Sequence, residues 1–436
     1  MDPSRATSQI KTKGWTALNR RFLSNLAIAV TLLSVLLTPV DPLYAAPESA
    51  AEPPVEILSQ MELLAGVLSQ TSWISNRGPQ GKGSEYYQAL RAFMEPYKDH
   101  EAVKIAEELT GRGFSYDAPP CFACHLGPLP DLELVAEYSA YVAGRAGGRE
   151  TLERFRLALK DLADKSDFMG FLEKWDETLQ ECIERSSKGF DRPKIETWLT
   201  DFFGWEAAEF HVILAPAMFP GGGYGATVVD RDGRSIGYET VRCSGRSESD
   251  PDLPGGRSIE TLTLHELGHY FVNPSLGKYP SEVQSLQPWY GRVQEQMSRM
   301  AYSNLSTYAN EQVLRAACAV AQKDLYGDST YEGVIANEER NNFHLTRVAA
   351  EALQDYAANR DKYPKFTDFA PVLLQRMAAE QPPTGTAQKA LETARFWVTF
   401  AWSMVALRWA VIILLVAMIL LRMARIRKES EDRKAE

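Results

Sequence analysis

Residues 261–271 read TLTLHELGHYF, and no other stretch restricts the chain so tightly. His265 and His269 stand four apart, so on a helix both imidazoles leave one face. Around them Leu262, Leu264, Leu267, Gly268, Tyr270 and Phe271 are all uncharged. A helix that apolar must be covered by the rest of the fold, because water would not tolerate it. Two imidazole nitrogens at this spacing can grip one tetrahedral zinc ion and leave positions for a third protein ligand and a water. Glu266, next to the first histidine, cannot share that pair geometry. It is placed to accept a proton from water whose pKa zinc lowers to about 7.

A third ligand is expected downstream. Glu311 lies in NEQVLR, inside the helical stretch Ser306 to Tyr326, and Arg315 one turn on can orient its carboxylate. Glu282 in YPSEVQS and Glu295 in the polar helix GRVQEQMSR are nearer competitors. His344, in NNFHLTR, is a candidate late ligand or oxyanion stabiliser. The plainer reading of a lone histidine beside an apolar residue is structural, and that of a Glu–Arg pair is a surface contact.

The two ends read as something other than the fold. Arg5, Lys11, Lys13, Arg20 and Arg21 precede an uncharged run from Phe22 to Val40, which a small-residue segment follows. That order spells a secretory signal peptide over residues 1–46, with cleavage between Ala45 and Ala51; an uncleaved anchor is the alternative. Near the other end, Trp409 to Leu421 is wholly apolar, and Arg422, Arg425, Arg427 and Lys428 follow it. Thirteen helical residues rise only about 20 Å, so a span must start further upstream. The expectation is a transmembrane helix over 396–421, with Arg408 snorkelling and Trp402 and Trp409 at the interface. The positive-inside rule puts the tail, 422–436, in the cytoplasm and residues 47–395 outside, a single-pass protein of the cell membrane.

The whole chain of 436 residues has a net charge of -10. Its basic ends contribute +4 and +2, which leaves -16 on residues 22–421. So acidic a body argues against nucleic acid as a partner and suits a solvated exported domain. Within it, residues 47–54 read as a linker. Helical periodicity runs from Val55 to about Gly111 and returns over 130–146, 150–164, 167–186 and 192–203. The Pro/Gly-punctuated stretch 113–131 reads as a loop. Three strand runs follow, in FHVIL, GGGYGATVVD and SIGYETVR, then a polar loop over 243–258 and helices from Ile259 to Glu380. Strands so segregated predict an α+β fold, mostly helical. The expected division is a helical part over 47–207 and a metal-site part over 208–390.

The segments SYDAPP, HVILAPAMFPGGGYGA, HELGHYFVNP, NEQVLRA and YAANRDKYPKFTDFAPVL occur in that order between residues 55 and 375. Together they resemble a family of exported bacterial proteins regarded as zinc metallopeptidases of the gluzincin (HExxH) type. The resemblance implies a zincin-like unit with a small sheet before the metal helix. It implies one zinc ion held by His265, His269 and Glu311, with Glu266 as general base. It also implies that a strand within residues 210–225 aligns an extended peptide or protein substrate, with Tyr224 close to the cleft.

Cys121-Phe122-Ala123-Cys124-His125 has the spacing for covalent haem, with His125 as proximal ligand. It is a single copy with no small cytochrome-like unit around it. A Cys121–Cys124 disulfide, pairing with Cys182 or Cys243, or free thiols are plainer, and His125 followed by Leu126 reads as a buried residue. The function expected from the sequence is a membrane-anchored extracytoplasmic zinc peptidase. The alternative is a non-catalytic surface binding module whose zinc is structural or vestigial.

Overall fold

The structure is a computed structural model that describes residues 53–380, except positions 80, 206 and 208. Helices dominate it, and its one sheet has four strands, which makes the fold a mostly helical α+β arrangement. The strands are β1 (Glu56–Ile57), β2 (Glu209–Ala215), β3 (Gly222–Val229) and β4 (Ser235–Arg242), in the order β1-β2-β4-β3. β2 runs parallel to both β1 and β4, whereas β3 is antiparallel to β4.

Sequence explains these positions. Val212 to Ala215 are buried in succession on β2, as expected of an interior strand covered on both faces. β3 is rich in glycine and mostly half-buried or exposed, and it forms an edge. A tight turn joins it to β4. Asp230 accepts from the backbone N–H of Asp232 and Arg234, and Gly233 supplies the positive φ of 79°.

Helix α1 (Arg257–Gly277) carries the histidines and packs between the sheet and helix α2 (Leu305–Tyr326). Leu264, Leu267, Phe271, Val272 and Leu276 are each at most 1% exposed, and Phe271 stacks on Phe203 at 4.8 Å between ring centroids. At Gly268 a Cβ would stand 2.4 Å from Leu314 Cδ1, so the missing side chain lets α1 and α2 approach closely. Helix α3 (Asp328–Arg340) and the helices Thr346–Ala358 and Phe366–Ala379 complete the C-terminal packing.

Several expected elements differ. The helix predicted over 130–146 is confined to Ala140–Ala146. Upstream of it the chain folds back on itself: Gly127 N–H donates to the Glu133 carbonyl at 2.7 Å, and Val135 N–H to that of His125 at 2.9 Å. Backbone groups spent in that bridge cannot build a helix. The expected loop 113–131 contains a short helix, Ala118–Ala123, whose Pro119 and Pro120 fall in the first turn, where proline is tolerated. The segment predicted as one helix over 167–186 is two, Phe168–Lys174 and Asp176–Ser187. β1 was not expected; it adds residues from the N-terminal part to the same sheet as β2–β4. The predicted signal peptide, transmembrane helix and tail lie outside the described residues. Among the described residues no helix is long and apolar enough to cross a membrane.

Candidate metal centre

One turn of α1 brings His265 and His269 together, with ring centroids 5.2 Å apart. α2 crosses opposite them and delivers Glu311, which is 4% exposed. Its Oε2 lies 3.5 Å from His265 Nε2 and its Oε1 3.4 Å from His269 Nε2. Among the described residues these three form the one group whose ligand atoms could hold a metal ion. Bonds of about 2.0–2.1 Å at tetrahedral angles place zinc ligands about 3.4 Å apart, so the spacing fits. The donor set of two neutral imidazoles and one carboxylate is also of the type zinc takes.

The surroundings fix each ligand. His269 Nδ1 faces Asn273 Oδ1 at 3.1 Å; as donor there, the ring holds Nε2 turned towards the cluster. Arg315 donates to Glu311 Oε2 at 3.1 Å, to Glu338 on α3 at 2.8 Å and to the Tyr302 hydroxyl at 3.1 Å, and its guanidinium lies over the Phe343 ring. Glu311 thus has the orienting arginine that its i+4 spacing predicted.

Glu266 points to the sheet. Its Oε2 accepts the backbone N–H of Gly225 at 2.8 Å, and it is 8% exposed. β3 passes so close that a Cβ on Gly223 would stand 2.7 Å from Glu266 Cγ, and one on Gly225 2.3 Å from the Glu266 carbonyl oxygen. The glycines of GGGYG are therefore the space in which Glu266 fits.

Burial shapes the charges. It pushes the Glu266 carboxyl up to about 7, although His269 and the Gly225 N–H pull the other way. Burial also pulls His265 down to about 3. It works against a charged His269 too, but the adjoining Glu311 carboxylate outweighs it and raises that ring to about 9. Burial alone would raise Glu311; the two histidines and Arg315 hold it well below the usual carboxylate range.

The remaining candidates fall elsewhere. Glu282 lies on the helix Pro280–Gln284, outside the cluster. Glu295 is exposed and pairs with Arg299. The ring of His344 lies 6.3 Å from that of Trp289. Tyr224 stands on the edge strand β3, and its ring covers Arg242. Residues 210–225 are divided, with 210–215 on interior β2 and only 222–225 on the edge.

The CxxCH string is core. Cys121, Cys124 and His125 are 7%, 2% and 0% exposed. His125 Nδ1 is 2.7 Å from the Cys121 carbonyl, to which it donates, while Nε2 accepts the Ser139 N–H at 3.2 Å. Both ring nitrogens are occupied within the protein. Asn273, Glu338, Tyr302 and Arg242 were not singled out as site residues in the sequence. Only Asn273, one turn beyond His269, carried a readable signal.

These features define a mostly helical α+β protein with a His-His-Glu cluster, its histidines half-buried and its glutamate buried, and a fourth, acidic residue held against an edge strand. The family model described as "Domain of unknown function (DUF4932)" matches residues 55–376, most of the chain, and the chain belongs to that family. The family's description carries no activity and is coarser than the gluzincin resemblance of the motifs. Searches of curated proteins and of solved structures find no match.

Proposed function

We propose that this chain is a zinc-dependent peptidase of the HExxH type, exported and held at the membrane by its C-terminal apolar run. The observation that carries the reading is the spacing of His265, His269 and Glu311, 3.4 and 3.5 Å between facing ligand atoms, with the carboxylate buried and the two rings half-buried. When bound there, zinc supplies a Lewis acid and lowers the pKa of water to about 7. Glu266 takes the proton; a carboxyl raised by burial is matched to accepting it and then returning it to a leaving amine. Asn273 and Arg315 keep the ligands oriented.

The edge strand supports a peptide as substrate. Gly225 spends its N–H on Glu266 and not on β4. Backbone groups alternate direction along an antiparallel ladder, so Gly223 and Thr227 also turn theirs outward at this edge. An extended peptide can add there as a further strand, beside the acid and the cluster.

The same bond favours a second reading, in which Glu266 is a strut between α1 and β3 in a non-catalytic binding module. Three measurements on the full chain separate the two: zinc content by elemental analysis, hydrolysis of a peptide library, and melting temperature. The peptidase reading expects one zinc per chain, lost in His269→Ala. It also expects Glu266→Gln to keep zinc and fold while losing at least about 100-fold in hydrolysis. Absence of stoichiometric zinc, or full hydrolysis by Glu266→Gln, overturns it. A lowered melting temperature with no hydrolysis by either protein favours the strut.

A further inference from the structure

Arg242, the last residue of β4, is 4% exposed, and its guanidinium is only partly used. Nη2 donates to the Gly221 carbonyl at 2.9 Å, and the guanidinium carbon lies 3.5 Å from the centroid of the Tyr224 ring. Nε and Nη1 are buried without a hydrogen-bond partner. Buried donors left unmade are costly and uncommon, most of all on a cation. Besides the Tyr224 phenol, two carboxylates have fields that reach this group, Glu266 and Asp117. Both are committed: Glu266 accepts from Gly225, and Asp117 pairs with Arg145 at 3.3 Å and accepts from Tyr141.

The guanidinium that carries those donors reaches across to the edge strand. Gly222 pairs with Arg242 in the β3–β4 ladder, and a Cβ on Gly222 would lie 3.4 Å from Arg242 Nη2. A Cβ on the next residue, Gly223, would lie 2.8 Å from Glu266 Oε1. Neighbouring glycines therefore touch the guanidinium on one face of the sheet and the acid on the other. Side chains of a peptide added along β3 alternate between those same two faces. Every second one projects towards Tyr224 and Arg242.

We propose that Arg242 is a carboxylate receptor beside the β3 edge, taking an anionic group of the bound strand on its idle donors, with the half-buried Tyr224 ring as a cover that turns aside. The carboxylate is an acidic side chain or the free C-terminus of a peptide. Only the identification of the strand as a peptide substrate rests on the peptidase reading.

The test is binding of small probes to the full chain by titration calorimetry, as purified and after metal removal, so that a carboxylate on the metal is not counted. N-acetylglutamate amide carries only a side-chain carboxylate, N-acetylglutamine only a terminal one, and N-acetylglutamine amide neither. One of the charged probes is expected to bind at least tenfold more tightly than the neutral one, with or without metal, and which one identifies the source. Arg242→Gln is expected to erase the difference. Arg242→Lys, which keeps the charge but not the planar fork, covers the case in which the glutamine variant does not fold, and there the preference should fall severalfold. Equal binding of all three probes by the wild-type chain, or an unchanged preference in a folded variant, overturns the proposal. Failure to hydrolyse any peptide would remove the peptidase reading and leave the probe result standing.

Discussion

Replacing Gly225 with alanine tests how β3 and α1 share space. The added Cβ would sit 2.3 Å from the Glu266 carbonyl oxygen, which is backbone and cannot swing away. Carbon and oxygen need roughly 3.3 Å or more, so strand and helix must separate by about 1 Å. That displacement stretches the 2.8 Å bond from Gly225 N–H to Glu266 Oε2 beyond hydrogen-bonding range. Overpacking of this kind costs about 1–3 kcal/mol, and a 1 Å misplacement at a reacting centre costs about 100-fold in rate. The proposed metal ligands His265, His269 and Glu311 lie on α1 and α2, not on the strand, so on that proposal zinc content should stay near that of the wild type. Chemical denaturation, elemental analysis and peptide hydrolysis on one preparation give the three numbers. An alanine variant as stable and as active as the wild type would refute the close approach of β3 to Glu266. Loss of zinc would show that the strand holds the ligands as well as the acid.

Asn273→Ala leaves His269 Nδ1 without its partner and is expected to weaken zinc binding about 10–100-fold in a competitive chelator titration, with the fold unchanged. Arg315→Met leaves the buried carboxylate of Glu311 and the half-buried one of Glu338 without their arginine. Urea denaturation of the metal-free protein should show a loss of about 3–5 kcal/mol, part of which Glu338→Gln restores in the double variant. Glu62 is fully buried, accepts from the Tyr86 hydroxyl at 2.7 Å, and is raised by burial from 4.5 to about 8. The folded state therefore keeps a proton that the unfolded state has released. The stability it gives is complete below pH 4.5 and is lost as pH rises through 8, by up to about 1.4 kcal/mol per unit. Glu62→Gln should flatten that slope in denaturation series from pH 5 to 9; parallel slopes would count against a protonated Glu62.

The HELGH helix was legible because its chemistry is local: a four-residue spacing fixes two side chains on one face wherever the helix packs. The same logic found Glu311, through the arginine one turn beyond it, and the three strands from Phe210 to Arg242, through their alternation and turn residues. It failed over 130–139, where fold-back bonds to Gly127 and His125 compete with a helix that the residue pattern allowed. It also failed at β1, two residues that become a strand only because β2 lies beside them.

The string CxxCH shows the same division from the other side. Its spacing permits haem, yet a carbonyl and a backbone N–H contributed by the surrounding chain occupy both nitrogens of His125. Sequence alone determined which residue types stand one helical turn apart, and so which chemistry they can share. Tertiary structure decided what faces them across a gap: Glu311 from α2, the Gly225 N–H from β3, and Glu338 behind Arg315. Those partners are distant along the chain, and only the packing of α1 between sheet and helix brings them within bonding range.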